Sequence, residues 1–89
     1  MRHDPGMKIQ VRYFASLREV LGAEERVVLD HGGTVGSLRD HLLSLSDGHR
    51  QALARSRAVR CAMNQRMCSE DEALTDGAEV AFFPPVTGG

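Results

Sequence analysis

Glu79-Val80-Ala81-Phe82-Phe83-Pro84-Pro85-Val86-Thr87-Gly88-Gly89 holds, in order, a strand, a stop and a thread. In an extended run the rings of Phe82 and Phe83 point to opposite faces, so one can fill a core while the other is left toward solvent or a partner. The two prolines lack the amide hydrogens of a sheet ladder and favour an extended, polyproline-like path, which ends the strand and pushes the chain away from the body. Gly88 and Gly89 have no Cβ and can pass through a slot too narrow for other residues. From Pro84 to Gly89 the reach is at most about 20 Å, at ~3.3 Å per residue. The main-chain carboxylate of Gly89 is therefore the candidate reacting group, on a tail that can enter a partner's active site while the body docks outside. A carboxylate is a poor electrophile and needs activation by another protein. Conversion to an acyl adenylate supplies the leaving group, and a sulfur donor can then leave a thiocarboxylate.

Working back from this run, Asp76-Gly77 marks a turn into the last strand. Val59 to Cys68 reads as a hairpin around Asn64-Gln65, because Asn tolerates the positive φ of a tight loop, although Gln is less favourable than Gly beside it. At the other end, Lys8 to Phe14 alternates, with Ile9, Val11 and Tyr13 on one face and Lys8, Gln10 and Arg12 on the other, the pattern of a half-buried strand. Phe14, Leu17 and Leu21 fall at helical spacing, with Gly22 placed to end a short helix. Glu25 to Asp30 reads as a returning strand closed by His31-Gly32-Gly33. The main helix opens at Thr34, whose hydroxyl can cap the first turn. Its apolar stripe is Val35, Leu38, Leu42 and Leu45, with Arg39, Asp40 and His41 facing largely away. Ser46 to Arg57 has no strong period and reads as an irregular or weakly helical connection.

Eighty-nine residues allow one small core. A formal net charge of −1 gives no electrostatic reason to expect nucleic acid or an anionic membrane. No apolar run approaches the ~20 residues of a membrane span, and the N-terminus lacks the apolar stretch of a secretory signal, so a cytoplasmic location is expected. The scattered His3, His31, His41 and His49 and only two cysteines make no metal pattern, and the histidines read as solvated surface residues. Ser37, Ser44, Ser46 and Ser69 lack a nucleophile motif, and Asp71 and Glu72 read as a solvated turn. A two-residue loop would set Cys61 opposite Cys68. In a reducing compartment both read as reduced, small apolar residues, with a persulfide or redox site as the functional alternative.

The segments Val11-Arg12-Tyr13-Phe14-Ala15-Ser16-Leu17-Arg18-Glu19, Thr34-Val35-Gly36-Ser37-Leu38-Arg39, Ala62-Met63-Asn64-Gln65 and Leu74 to Gly89 resemble those of molybdopterin synthase small subunits. These are sulfur carriers of the ubiquitin-like β-grasp group. The resemblance covers residues 7–89, with Met7 an alternative start. It implies an α+β fold in which a mixed sheet of four to five strands grasps one main helix, with the last strand beside the first. Residues 1–6 lie outside it and are expected to be a disordered N-terminal extension, while the resemblance implies a β-grasp domain over 7–83 and a flexible reactive tail over 84–89 that threads Pro84, Pro85, Val86, Thr87 and Gly88 into partner sites.

Functionally, the resemblance implies three partners and no resident cofactor or metal. An adenylating enzyme uses ATP and Mg²⁺ on Gly89, a sulfurtransferase system converts the end to 1-thioglycine, and the large synthase subunit receives the sulfur for cyclic pyranopterin monophosphate. Two small and two large subunits would assemble, with Phe83 on the docking side and Arg18 as a nearby polar contact. The chain would be a non-catalytic, sulfur-donating subunit. Alternatives are a sulfur carrier for thiamine or cysteine biosynthesis, a ubiquitin-like modifier joined to lysines through Gly89, and a noncovalent module whose tail merely docks.

Overall fold

Met7, Ile9, Val11 and Tyr13 alternate with Lys8, Gln10 and Arg12, and that period of two builds the first strand, β1, over Met7–Tyr13. The computed structural model describes residues 6–85. Val86, Thr87, Gly88 and the reactive Gly89 expected from the sequence lie outside the described residues, as do residues 1–5. After β1 come α1 (Ser16–Leu21), β2 (Glu24–Leu29), α2 (Val35–Leu43), α3 (Asp47–Leu53), β3 (Arg60–Met63), β4 (Arg66–Cys68) and β5 (Glu79–Phe83). The five strands form one mixed sheet in the order β2-β1-β5-β3-β4. β1 and β5 run parallel, and the other neighbours are antiparallel. The last strand thus lies beside the first, as the resemblance implied.

One face of the sheet is packed and the other is open. Ile9, Val11 and Tyr13 of β1 and Val80 and Phe82 of β5 point inward, where they meet Val35, Leu38 and Leu42 of α2 and Leu53 of α3 in one buried cluster. Thr34 caps α2 through a reciprocal capping box: its side chain accepts from the Ser37 amide, and the Ser37 hydroxyl accepts from the Thr34 amide. Asn64 and Gln65 have φ of 51° and 69°, the pair of positive values that a two-residue type I′ loop demands. That loop pins the register Met63↔Arg66, Ala62↔Met67 and Cys61↔Cys68.

Two expectations fail and a third is decided, each for a physical reason. α2 ends at Leu43, so Leu45 leaves the apolar stripe and is exposed. Of the two readings of Ser46 to Arg57, irregular or weakly helical, the helical one holds: Ser46 accepts from the His49 amide as an N-cap, and α3 follows, burying Ala52 and Leu53. Phe14 precedes α1 and is exposed, leaving Leu17 as the one buried residue of that helix.

The largest correction concerns Arg39, which does not face away but is, among the described residues, the one buried charged residue, 3% exposed. Its Nε donates to Leu53 O at 2.8 Å, Nη2 donates to Ala54 O at 2.7 Å and to Arg57 O at 3.1 Å, and Nη1 pairs with Glu70 Oε2 at 2.8 Å. The planar guanidinium therefore satisfies the carbonyls left over at the end of α3 while a carboxylate balances its charge. Arg55 joins the cluster by donating to Glu70, to Asp40 and to Gly36 O. The position was readable, since Arg39 follows Val35 by four residues and precedes Leu42 by three, which places it on the stripe.

Two outcomes are expected. Arg39→Ala should cost about 3 kcal/mol in urea unfolding, because it takes a donor from the buried Leu53 carbonyl and leaves Glu70 partly unpaired, and Arg39→Lys should restore only part of it. A loss under about 1 kcal/mol would show that the guanidinium is dispensable. Burial pushes the Glu70 carboxyl upward, but hydrogen bonds from Arg55 and Arg39 outweigh it and hold the carboxyl below its ordinary 4.5. A depressed folded-state value stabilises the fold above the unfolded value and loses that contribution as pH falls through the folded one. The Tm advantage of the wild type over Glu70→Gln should therefore be constant above about pH 5 and shrink on acidification.

Candidate functional site

β5 ends at Phe83, and backbone pairing with β1 and β3 holds it on both flanks. Phe82 is fully buried, its ring 6.5 Å from that of Tyr13 at an interplanar angle of 23°. Phe83 is on the opposite, open face and pairs in register with Arg60 of β3. The sequence expectation of one ring inward and one outward is met. Pro84 and Pro85 follow outside the strand, half-buried.

A tight elbow stands at the same end of the sheet. The Phe14 amide donates to Phe82 O at 3.2 Å, and the Leu17 amide donates back to Phe14 O at 3.2 Å. Ala15, at φ 54° and ψ −131°, occupies the first central position of a type II′ turn, which glycine usually holds. That strain, of order 1 kcal/mol or more, turns the chain sharply so that α1 packs against β5. α1 presents Arg18 exposed at the exit end. The structure thus brings the helix carrying Arg18 and the strand carrying Phe83 to one end of the sheet.

Sequence reasoning missed part of this surface. Phe14 lies 39% exposed with the Arg12 guanidinium 5.3 Å from its ring centre. Arg12 also pairs with Glu79 Oε2 at 3.3 Å. Strand alternation was the signal that Arg12 shares the open face with Phe83, since Arg12 pairs with Ala81 across β1 and β5. The exit is flanked by rings and guanidinium groups, a composition suited to an aromatic and anionic partner surface.

A second polar arrangement was also missed. Glu25 Oε2 accepts from Tyr13 Oη at 2.6 Å and lies 2.7 Å from His49 Nε2, while His49 Nδ1 lies 2.7 Å from Ser46 Oγ. A carboxylate only accepts, so Nε2 carries a proton and donates to Glu25. His49 is thus a brace between α3 and the sheet rather than a solvated residue. The Ser46 oxygen is engaged by the His49 amide as a helix cap. Burial first, and then the Glu25 carboxylate, raise the Tyr13 phenol above its ordinary range, so it stays a neutral donor. The signal available was Ser46 three residues before His49, a helix-start spacing.

Cys61 and Cys68 face each other with sulfurs 3.8 Å apart, both free thiols. Burial, then the neighbouring Cys68, push the Cys61 thiol up to about 12. Among the described residues no three His, Cys, Asp or Glu side chains gather to hold a metal ion, and no helix is long and apolar enough to cross a membrane.

Comparison with known proteins agrees with this geometry. The ThiS family model matches residues 11–89. The chain is 46% identical over 81 residues to the molybdopterin synthase sulfur carrier subunit of Escherichia coli (strain K12), covering 91% of this chain and 99% of that one. The crystal structure of small archaeal modifier protein 1 from Haloferax volcanii superposes with a TM-score of 0.74 at 31% identity, over 91% of this chain and 100% of that one. The fold also matches a chain from the complex of subunits 1 and 2 of the molybdopterin-converting factor of Helicobacter pylori, with a TM-score of 0.66 at 21% identity, over 93% of this chain and 100% of that one. These neighbours share the ubiquitin-like β-grasp architecture, and by family match and relatives the chain belongs to the ThiS family.

Proposed function

We propose that this protein is the sulfur carrier of a molybdopterin synthase, with the Gly89 carboxylate as the carried group's attachment point. The observation that carries the reading is the 46% identity to a molybdopterin synthase sulfur carrier subunit over 99% of that subunit's length. The exit geometry supports it. A strand held on both sides, by β1 and β3, feeds directly into Pro84 and Pro85, whose fixed φ favours an extended path.

In this mechanism the carboxylate of Gly89 attacks the α-phosphate of ATP, with Mg²⁺, in an adenylating enzyme, and pyrophosphate leaves. A sulfurtransferase system replaces AMP with sulfur to give 1-thioglycine at Gly89. Pro84, Pro85, Val86, Thr87 and Gly88 thread that end into the large synthase subunit, where sulfur passes to cyclic pyranopterin monophosphate. Two sulfurs require two charged carriers, in keeping with two small and two large subunits. Phe83 docks against the partner and Arg18 makes a polar contact beside it, while the catalytic side chains belong to the partners. The chain acts in the cytoplasm, without nucleic acid or membrane. A second reading, a protein modifier conjugated through Gly89, draws on the likeness to small archaeal modifier protein 1.

Intact-protein mass spectrometry after incubation with the adenylating enzyme, ATP and a sulfur source should show oxygen replaced by sulfur at Gly89, localised by fragmentation. A Gly89 that never becomes adenylated or thiocarboxylated removes the carrier reading, and isopeptide conjugates to lysines in cell extracts would favour the modifier. Phe83→Ala should weaken binding to the large subunit by about tenfold or more, with circular dichroism and Tm close to wild type. Unchanged affinity would take Phe83 out of the interface, and loss of the folded signal would make its ring structural.

A further inference from the structure

We propose that Cys61 and Cys68 form a redox-active dithiol that closes reversibly into a cross-strand disulfide, a modification site separate from Gly89. The two residues are direct partners in the β3–β4 register. The Asn64-Gln65 loop makes Met63 and Arg66 a hydrogen-bonded pair, and alternation makes Cys61 and Cys68 the next such pair, with Cα atoms about 5.5 Å apart. That separation lies inside the range a disulfide spans. The sulfurs already stand 3.8 Å apart, and the Cys61 thiol donates to Cys68 O at 3.3 Å. Closure needs rotation of two short side chains and no shift in register.

Access is unequal in a useful way. Cys61 is buried and Cys68 is half-buried, and both border an open cleft shared with Arg60 and Glu70. A low-molecular-weight disulfide therefore meets Cys68 first. The Cys68 thiolate attacks one reagent sulfur, forming a mixed disulfide and releasing one thiolate. The Cys61 proton passes to that thiolate as the Cys61 sulfur attacks Cys68, and the second reagent thiol leaves. Two electrons move from the cysteine sulfurs to the reagent, which departs as two thiols carrying the two cysteine protons.

Burial holds Cys61 mainly in its thiol form, so ring closure is the slower step and the mixed disulfide appears first. The closed bond would span an ordinary disulfide separation, and its reducibility follows from the partial exposure of Cys68. It would form and reopen with the surrounding thiol–disulfide balance rather than lock permanently, which is the behaviour of disulfides in reducing compartments. Closure ties β4, a three-residue edge strand, to β3, whose Cys61 pairs with Phe82 beside the tail exit.

The test equilibrates the full chain, without denaturant, in mixtures of reduced and oxidised glutathione, followed by acid quenching, alkylation and intact mass measurement. The expected product is a monomer about 2 Da lighter with neither cysteine alkylated, preceded by a glutathione adduct on Cys68 and reversed by reductant. Cys61→Ser should stop at the Cys68 adduct, and Cys68→Ser should give no closed form. Persistent adducts in the wild type, a disulfide between two chains, or two alkylatable thiols in every mixture would each overturn the proposal. The wild-type masses decide the matter even where a variant fails to fold.

Discussion

The parallel pairing of β1 with β5 is the constraint from which the rest of the fold follows. Parallel neighbours cannot be joined by a tight turn, so the chain between Tyr13 and Glu79 must travel to the far end of the sheet and return. It uses that excursion to lay down β2 on one side, three helices across one face, and the β3–β4 hairpin on the other side. β5 is left with a hydrogen-bonded neighbour on each flank and Val80 and Phe82 wholly buried beneath it. The strand that leads to the tail is therefore among the most restrained in the molecule. The end of central β5 is thus a fixed base for the residues that follow it.

A domain this small has little apolar area with which to fix its connections, and the Arg39 cluster does that work instead. One guanidinium holds Leu53 O, Ala54 O and Arg57 O, and through Glu70 it ties the segment after β4 to the helical layer. Burying a charge is unfavourable unless it is paired and its donors are satisfied, and both conditions hold here. The His49 brace applies the same logic on the other side of α3, where Tyr13 and Glu25 belong to β1 and β2. α3 is thus positioned by polar contacts at both ends as well as by Ala52 and Leu53 in the core.

What could be read from the sequence divides along the same line. Strands whose alternation is local, such as Ile9-Gln10-Val11-Arg12-Tyr13, and loops with demanding backbone angles, such as Asn64-Gln65, announce themselves. So did the opposite facing of Phe82 and Phe83, and the Thr34 cap. Arg39 and His49 were misread because a charged or polar residue counts as surface until its partners are known, and those partners are distant in sequence. Leu53 lies 14 residues from Arg39 and Glu25 lies 24 from His49. The neighbour relation of β1 and β5 came from resemblance, since local pattern carries no information about which strands meet. Gly89 was proposed from the sequence because a main-chain carboxylate needs no pocket within this chain, and it lies outside the described residues.

Sulfur carriers and protein modifiers share this body, so whatever separates them must lie where the core does not dictate the residue. The inward face cannot do it, because Tyr13, Leu38 and Phe82 are fixed by packing. The open face is free of that demand, and here it carries Arg12 over Phe14, Phe83 beside Arg60, and the exposed Met67 in the row that runs through Ala62 and Ala81. Rings and guanidinium groups contribute affinity only when a partner desolvates them together, which makes their arrangement selective in a way that a two-glycine tail cannot be. The open face around the end of β5 is thus where selectivity between partners has room to reside.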